Sequence, residues 1–226
     1  MADMALARLL QLASPALPVG AYSYSQGLEA AVEAGVVKDA ASAGRWIGDA
    51  LAFSLAKFEA PAWGRLYAAW VARDFVAVQD LDHWFRATRE TAELRAETMQ
   101  MGYSLRRLCL DLDGFDASSL EALRTMEEVS FPTAFAFAAV QWRIPARDAL
   151  VAYLWSWLEN QVMAALKAVP LGQTDGQRLL LRLGDGLSAI ADEALGAEEA
   201  SFANFAPGLA IASSRHETQY SRLFRS

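Results

Sequence analysis

Apolar residues recur at helical spacing along most of the chain. After Pro145 the spacing is most regular, and one row at i+4 contains Leu150, Leu154, Leu158, Val162 and Leu166. Few polar residues interrupt this segment, so the helix that it predicts is expected to lie at the centre of the domain or at an interface. No run alternates apolar and polar residues between turn residues, as a β-strand would. The pattern therefore predicts an all-α fold, a single-domain multi-helix bundle that spans residues 1–226.

Proline and capping residues indicate where individual helices begin. Two prolines and a glycine exclude regular helix from residues 14–20. Pro61 is predicted to lie in the first turn of a new helix. Three pairs have the spacing of a capping box and are predicted to begin helices, namely Ser23 with Gln26, Ser118 with Glu121, and Thr174 with Gln177.

Residues 76–112 are predicted to form one long helix with a densely charged middle. Opposite charges lie three or four positions apart among the six charged residues of this run, namely Arg86, Arg89, Glu90, Glu93, Arg95 and Glu97. Exposed ion pairs contribute only about 0–1 kcal/mol each. We therefore interpret the run as a solvated face rather than a binding face.

Composition and charge narrow the classes of function. The chain has 226 residues, of which 54% are hydrophobic, so we expect a large core or apolar surface that meets a partner. The net charge is −7 and no dense Lys/Arg run occurs, which argues against nucleic acid as a partner. The longest uncharged stretch, residues 9–28, contains Pro15, Pro18 and Gly20, which argues against a membrane span. With a single cysteine, Cys109, and no convincing signal peptide, we expect a cytoplasmic protein.

The sequence lacks the residue combinations of common active sites. His83, Cys109 and His216 lie far apart, so we expect no metal ion or cofactor. Residues 216–220 resemble the HExxH motif of metalloproteases, but Tyr220 replaces the second histidine. His83 is predicted to be half-buried and structural. Glu159 is the one carboxylate within the most apolar segment, and we expect it to pair with an arginine or lysine.

These observations predict a protein that is not an enzyme and that works by binding other proteins. One alternative stays open, a small all-α enzyme whose site forms between two subunits and uses Glu159 and His83. A second alternative is a weak nickel site on the two histidines.

Three segments of the chain resemble the UreF family of urease accessory proteins. They are residues 10–29 (LQLASPALPVGAYSYSQGLE), residues 167–177 (KAVPLGQTDGQ) and residues 214–226 (SRHETQYSRLFRS). The resemblance implies an all-α homodimer that carries no reaction of its own. It also implies an adaptor that binds UreD, also called UreH, and recruits the GTPase UreG. That assembly delivers nickel to apo-urease.

The resemblance further implies which residues contact partners. Tyr22 and Arg222 match positions that the family uses to recruit the GTPase, and Lys167 matches a position tied to control of GTP hydrolysis. Other candidates on the same segments are Ser23, Gln26, Glu29, Arg215, His216, Glu217 and Tyr220. Two structural alternatives stay open, because Tyr22 could staple the start of a helix and Lys167 could stabilise the last turn of one.

Residues 215–226 form a C-terminal tail in which three arginines alternate with Tyr220, Leu223 and Phe224. Arginine and aromatic side chains are typical anchors of protein interfaces. The tail is therefore predicted to be basic and to dock on a partner. A frayed, solvated terminus is the alternative.

Overall fold

The computed structural model describes residues 2–226 and consists of helices joined by turns and loops, with no strand in that range. The prediction of an all-α, multi-helix fold is confirmed. The helices are α1 (Ala2–Leu12), α2 (Leu28–Glu33), α3 (Ala40–Ala50), α4 (Ala60–Ala72), α5 (Phe75–Ala87), α6 (Ala92–Asp111), α7 (Ala117–Thr125), α8 (Phe131–Gln141), α9 (Ala146–Ala168), α10 (Gln173–Gly184), α11 (Leu187–Leu195) and α12 (Pro207–His216). Short 3₁₀ turns occupy Ala21–Ser23 and Glu199–Ser201. Within residues 2–226, no helix is both long enough and apolar enough to cross a bilayer.

Helix α9 is the centre of the bundle. Four members of its apolar row are completely buried, namely Leu150, Leu154, Leu158 and Val162. The helix packs against α1, α2, α3, α4, α8, α10 and α11. The prediction of a central helix is confirmed, because an apolar helix surface is stable only when neighbours cover most of it.

Helix α8 is the second buried helix and lies between α4 and α6. Residues 134–139 are fully buried, and Pro132 lies in the first turn. Gly102 of α6 faces the start of α8, where an added Cβ would overlap the carbonyl oxygen of Val129 and lie 2.8 Å from the nitrogen of Phe131. The two helices are thus close enough that only glycine fits at the crossing.

Pro61 does not begin a separate helix. Instead, α3 runs into α4 through a π-helical segment, Leu51–Glu59. Pro61 lies in the first turn of α4 as predicted, but the preceding turns stay helical. The wider π turns direct Leu55, Phe58 and Glu59 inward while Phe53 is exposed. Such segments often occur at functional sites.

The prediction of a single long helix over residues 76–112 is wrong, because α5 ends before Thr88 and α6 begins after Thr91. The Thr88 hydroxyl donates to the carbonyl of Phe85 at 2.7 Å. The Thr91 hydroxyl accepts from the amide of Leu94 at 3.2 Å and caps α6. Both side chains compete with the helix for main-chain hydrogen bonds, which explains the break.

The three predicted capping boxes are also wrong. Gln26 has a φ of 52° and lies before the helix, which begins after Gly27. Helix α7 is capped by Asp116, which accepts from the amide of Ser119, and α10 follows Gly172 without a side-chain cap. The spacing of the motif recurs by chance, so it cannot identify a cap without the backbone geometry.

Candidate functional site

The predicted partner residues converge on one surface, where the loop of residues 20–27, the end of α9 and the chain terminus meet. Arg215 and His216 belong to α12, and residues 217–226, hereafter the C-terminal segment, fold back over α2 and the start of α6. The tail is therefore ordered against its own chain, with its first two residues helical.

A lysine lies between two aromatic rings at the centre of this surface. The ammonium nitrogen of Lys167 is 5.8 Å from the ring centroid of Tyr22 and 5.6 Å from that of Phe224. Cations within about 6 Å of an aromatic face are attracted to the ring. These three residues are hereafter the lysine cluster. The Lys167 side chain is exposed, whereas Phe224 is buried.

The local backbone explains how Tyr22 and Lys167 reach the cluster. Gly20, with a φ of 77°, turns the chain into the 3₁₀ turn that carries Tyr22. Asn160 of α9 donates to the carbonyl of Tyr24 at 3.1 Å and holds the loop against the bundle. Burial and the charge of Glu159 raise the pKa of Tyr22. A hydrophobic staple uses the residue just before the N-cap, which in α2 is Gln26 and not Tyr22. Lys167 does lie in the last turn of α9, as its structural alternative required.

Glu29 holds the C-terminal segment from the first turn of α2. Its carboxylate accepts the amide of Leu223 at 2.7 Å and the amide of Phe224 at 3.0 Å. The same carboxylate lies 3.2 Å from Nε2 of His216. A carboxylate has about four acceptor sites, so one buried side chain can fix both the segment and α12.

His216 and Glu93 form the next attachment point. His216 is completely buried, and its Nδ1 lies 2.8 Å from Glu93. The guanidinium of Arg222 donates to the other oxygen of Glu93 at 2.8 Å. Glu217 accepts from the amide of Ala92 at 3.1 Å, at the start of α6, where a negative charge is favoured by the helix dipole.

The end of the segment is held by Glu97 and the loop. The Ser226 hydroxyl donates to Glu97 at 2.9 Å, and the Gln26 amide donates to the other oxygen of Glu97 at 2.7 Å. Trp157 in turn donates to Gln26 at 2.7 Å. The main chain of Ser25 and Gln26 donates to the Ser226 carbonyl. Burial raises the pKa of Glu97 to about 7.

The charged run is a solvated face only in part, because Glu90 and Arg95 are exposed but the other four charged side chains are not. The side chains of Arg86, Arg89 and Glu93 are only 12%, 6% and 12% exposed, and Glu97 is buried. Arg89 donates to Glu59 at 2.9 Å across the bundle. The break between α5 and α6 turns these four side chains inward, where each has a hydrogen-bond partner.

The predicted residues fall into three groups by exposure. Lys167, Arg215, Glu217, Tyr220 and Arg222 are exposed and available to a partner. Gln26, Glu29 and His216 are buried and hold the segment in place, while Tyr22 and Ser23 are partly buried. Sequence reasoning overlooked the roles of Glu93 and Glu97, although their i, i+4 spacing places both on one face of α6.

A cavity of about 70 Å³ lies beneath the loop and is lined by Gln26, Glu59, Arg89, Glu97 and Glu159, among others. Glu159 forms no ion pair with any side chain from residue 4 onward, so its predicted pairing is not found there. Burial raises the pKa of Glu159.

His83 is exposed on α5, not half-buried as predicted. It lines a different surface pocket, together with Asp80, Arg86 and Glu128. Glu159 and His83 therefore do not share a pocket within one chain. Across the described residues, no three His, Cys, Asp or Glu side chains are grouped as a metal site would require.

Comparisons with known proteins agree on one family. A family model described as UreF matches residues 37–184. A urease accessory protein UreF of Azoarcus sp. (strain BH72) is 62% identical over 223 residues, which cover 98% of this chain and 95% of that protein. Proteins with the same description from Dechloromonas aromatica (strain RCB) and Janthinobacterium sp. (strain Marseille) are 56% and 53% identical. These two alignments cover 98% and 100% of this chain and 97% and 100% of the respective relatives.

Proposed function

The chain belongs to the UreF family of urease accessory proteins, and we propose that it is a non-catalytic adaptor in urease maturation. It binds the accessory protein UreD (UreH) and recruits the GTPase UreG, so that nickel reaches apo-urease. The assembly works in the cytoplasm, where the single buried Cys109 needs no disulfide partner.

The observation that carries this proposal is the exposed surface around the lysine cluster. Tyr220 is fully exposed and Leu223 is 71% exposed, next to the exposed arginine Arg222. Large apolar and arginine side chains held on an ordered segment are typical of interface anchors. Because Lys167, Arg215 and Arg222 outnumber the exposed acid Glu217, this surface suits a partner with an acidic face.

The buried carboxylates of the site favour a scaffolding role over a catalytic one. Glu29, Glu93 and Glu97 all accept hydrogen bonds from the chain's own donors. A catalytic acid or base must instead face a substrate. These carboxylates hold the surface in shape.

Replacing Tyr220 and Leu223 together by alanine is expected to weaken binding of UreG to the complex with UreD by about 100-fold or more. Both side chains are exposed, so the free energy of unfolding should change by less than about 0.5 kcal/mol. Biolayer interferometry with the purified complex measures the affinity, and urea denaturation measures the stability.

Tyr103→Ala is the matched control, since Tyr103 is a 55% exposed tyrosine on α6, outside the segment. It should leave the affinity unchanged. If the double variant bound UreG as tightly as the unchanged chain, the C-terminal segment would not be part of the interface. Lys167→Ala then tests the lysine cluster separately on an intact segment.

A homodimer formed by helix packing belongs to the same proposal. Exposed apolar side chains such as Met4 and Leu10 of α1 provide surface that packing between copies can cover. We expect light scattering of the purified protein to give twice the 24.6 kDa mass of one chain. A monomer at every concentration would contradict this part of the proposal.

A further inference from the structure

The C-terminal segment is attached through carboxylates on two helices. Glu29 of α2 binds its amides, Glu93 of α6 binds Arg222, and Glu97 of α6 binds the Ser226 hydroxyl. Glu97 is the only one of these three that also lines the internal cavity. The end of the segment thus covers a buried carboxyl group that would meet water if the segment lifted.

Several charged or titratable groups face Glu97 from the surrounding elements. Arg89 approaches from the turn before α6, Glu59 from the π-helical segment, Tyr153 from α9 and Tyr24 from the loop. Arg89 is already bonded to Glu59, as is the Tyr153 hydroxyl. The charge of Arg89 is therefore shared between Glu59 and Glu97. Glu97 forms no ion pair of its own among the described side chains.

We propose that the C-terminal segment is a proton-linked latch, which closes with Glu97 protonated beneath Ser226 and opens more readily once Glu97 is ionised. This inference goes beyond the adaptor role, since it concerns the isolated chain and holds whichever partner binds. The proton exchanges with solvent when the segment lifts.

Burial of Glu97 raises its pKa by more than the hydrogen bonds from Gln26 and Ser226 lower it. The Gln26 amide donates to one oxygen of the carboxyl group in both states. The Ser226 hydroxyl donates to the ionised carboxylate and can rotate to accept from the protonated acid. Burial disfavours the ionised form and not the neutral acid, so the closed latch favours the neutral acid.

The direction of the pH effect follows from linkage. With the segment closed, burial raises the pKa of Glu97 to about 7 from an ordinary value of 4.5. In the open state water reaches the carboxyl group and its pKa falls, so closing takes up a proton between these two values. The closed state is therefore most favoured below this range and is weakened as the pH rises through 7. Between pH 6 and pH 8 the closing equilibrium should fall by about tenfold.

Opening of the latch would dismantle the lysine cluster. Phe224 would leave Lys167, and Leu223 would lose the main-chain hydrogen bond to Glu29 that fixes it. The proton on Glu97 thereby controls whether this surface is assembled.

Hydrogen exchange measured by NMR on the full chain tests the latch. The amides of Leu223, Phe224 and Arg225 report on it, because each donates to Glu29 or to the carbonyl of Ser23. After correction for intrinsic exchange, their opening constant should be about tenfold larger at pH 8 than at pH 6. In Glu97→Gln, which stays neutral, it should be low and equal at both pH values.

Glu159→Gln is the matched control. Burial also raises the pKa of Glu159, but Glu159 makes no hydrogen bond to the C-terminal segment. This variant should keep the tenfold change. Equal opening constants at both pH values in the unchanged chain would overturn the latch. A tenfold change that survives in Glu97→Gln would show that a group other than Glu97 carries the effect and would also overturn the latch.

A direct titration keeps the proposal falsifiable if Glu97→Gln folds poorly. The carboxyl carbon of Glu97 can be followed by ¹³C NMR in the unchanged chain. A midpoint near 7 with the segment closed supports the latch, and a midpoint at the ordinary value of 4.5 overturns it.

Discussion

Replacing Glu29 by alanine is expected to lower the free energy of unfolding by about 3 kcal/mol and to release the C-terminal segment. The substitution removes the acceptor of the Leu223 and Phe224 amides and one of the two carboxylates around His216. Hydrogen bonds to a charged group contribute about 1.5–3 kcal/mol each, and hydration of the freed segment offsets part of the loss. Urea denaturation measures the stability.

Glu33→Ala provides a control on the same helix. Glu33 is exposed at the end of α2, and its replacement should change the stability by less than about 0.5 kcal/mol. Amide exchange at Leu223 and Phe224 should become fast in Glu29→Ala and stay slow in Glu33→Ala. Protected amides in Glu29→Ala would show that the other attachments suffice to hold the segment.

Replacing Gly102 by alanine is expected to destabilise the fold by about 3 kcal/mol or more. The new methyl group would overlap the main chain of Val129 and lie 2.8 Å from the nitrogen of Phe131. Main-chain atoms cannot rotate away as a side chain can, so α6 and α8 would have to separate. Because residues 132–139 of α8 are buried, the separation would disturb the core around them.

Gly48→Ala is the matched control for this prediction. Gly48 also lies within a helix, but an added methyl group would meet only a methyl group of Leu183 at 3.4 Å. Alanine is favoured over glycine in helices by about 1 kcal/mol, so this variant should be equally stable or more stable than the parent. Similar thermal unfolding of both variants would mean that the α6–α8 crossing adapts easily.

The strongest helical patterns in the sequence predicted the core correctly. The row from Leu150 to Val162 identified the central helix, because a periodic apolar row has no stable alternative to burial. Helix boundaries were less predictable. Thr88 and Thr91 end and begin helices through single side-chain hydrogen bonds, which leave no periodic signal in the sequence.

The burial of charged side chains was the main feature that local sequence patterns could not predict. Arg89 is buried because Glu59, 30 positions earlier in the chain, lies opposite it in the fold. A charged run looks the same in sequence whether or not such a partner exists. Only the tertiary arrangement separates a solvated face from an internal network.

The family resemblance singled out residues that the fold brings onto one surface, but it did not predict which of them are exposed. Glu29 and His216 were expected to contact a partner, yet they are buried against each other, 187 positions apart in sequence. Lys167 and Tyr220 are exposed, so they remain predicted contacts. The difference depends on the path of the last ten residues, which no short-range pattern encodes.

The long-range closure of the site has a consequence for biosynthesis. Ser25 bonds to Ser226 across 201 positions, so the loop that carries Tyr22 lacks this support until residue 226 has left the ribosome. A nascent chain that has not reached this residue can form its central helices but cannot complete the surface. The proposed partner site is therefore assembled after the helices on which it rests.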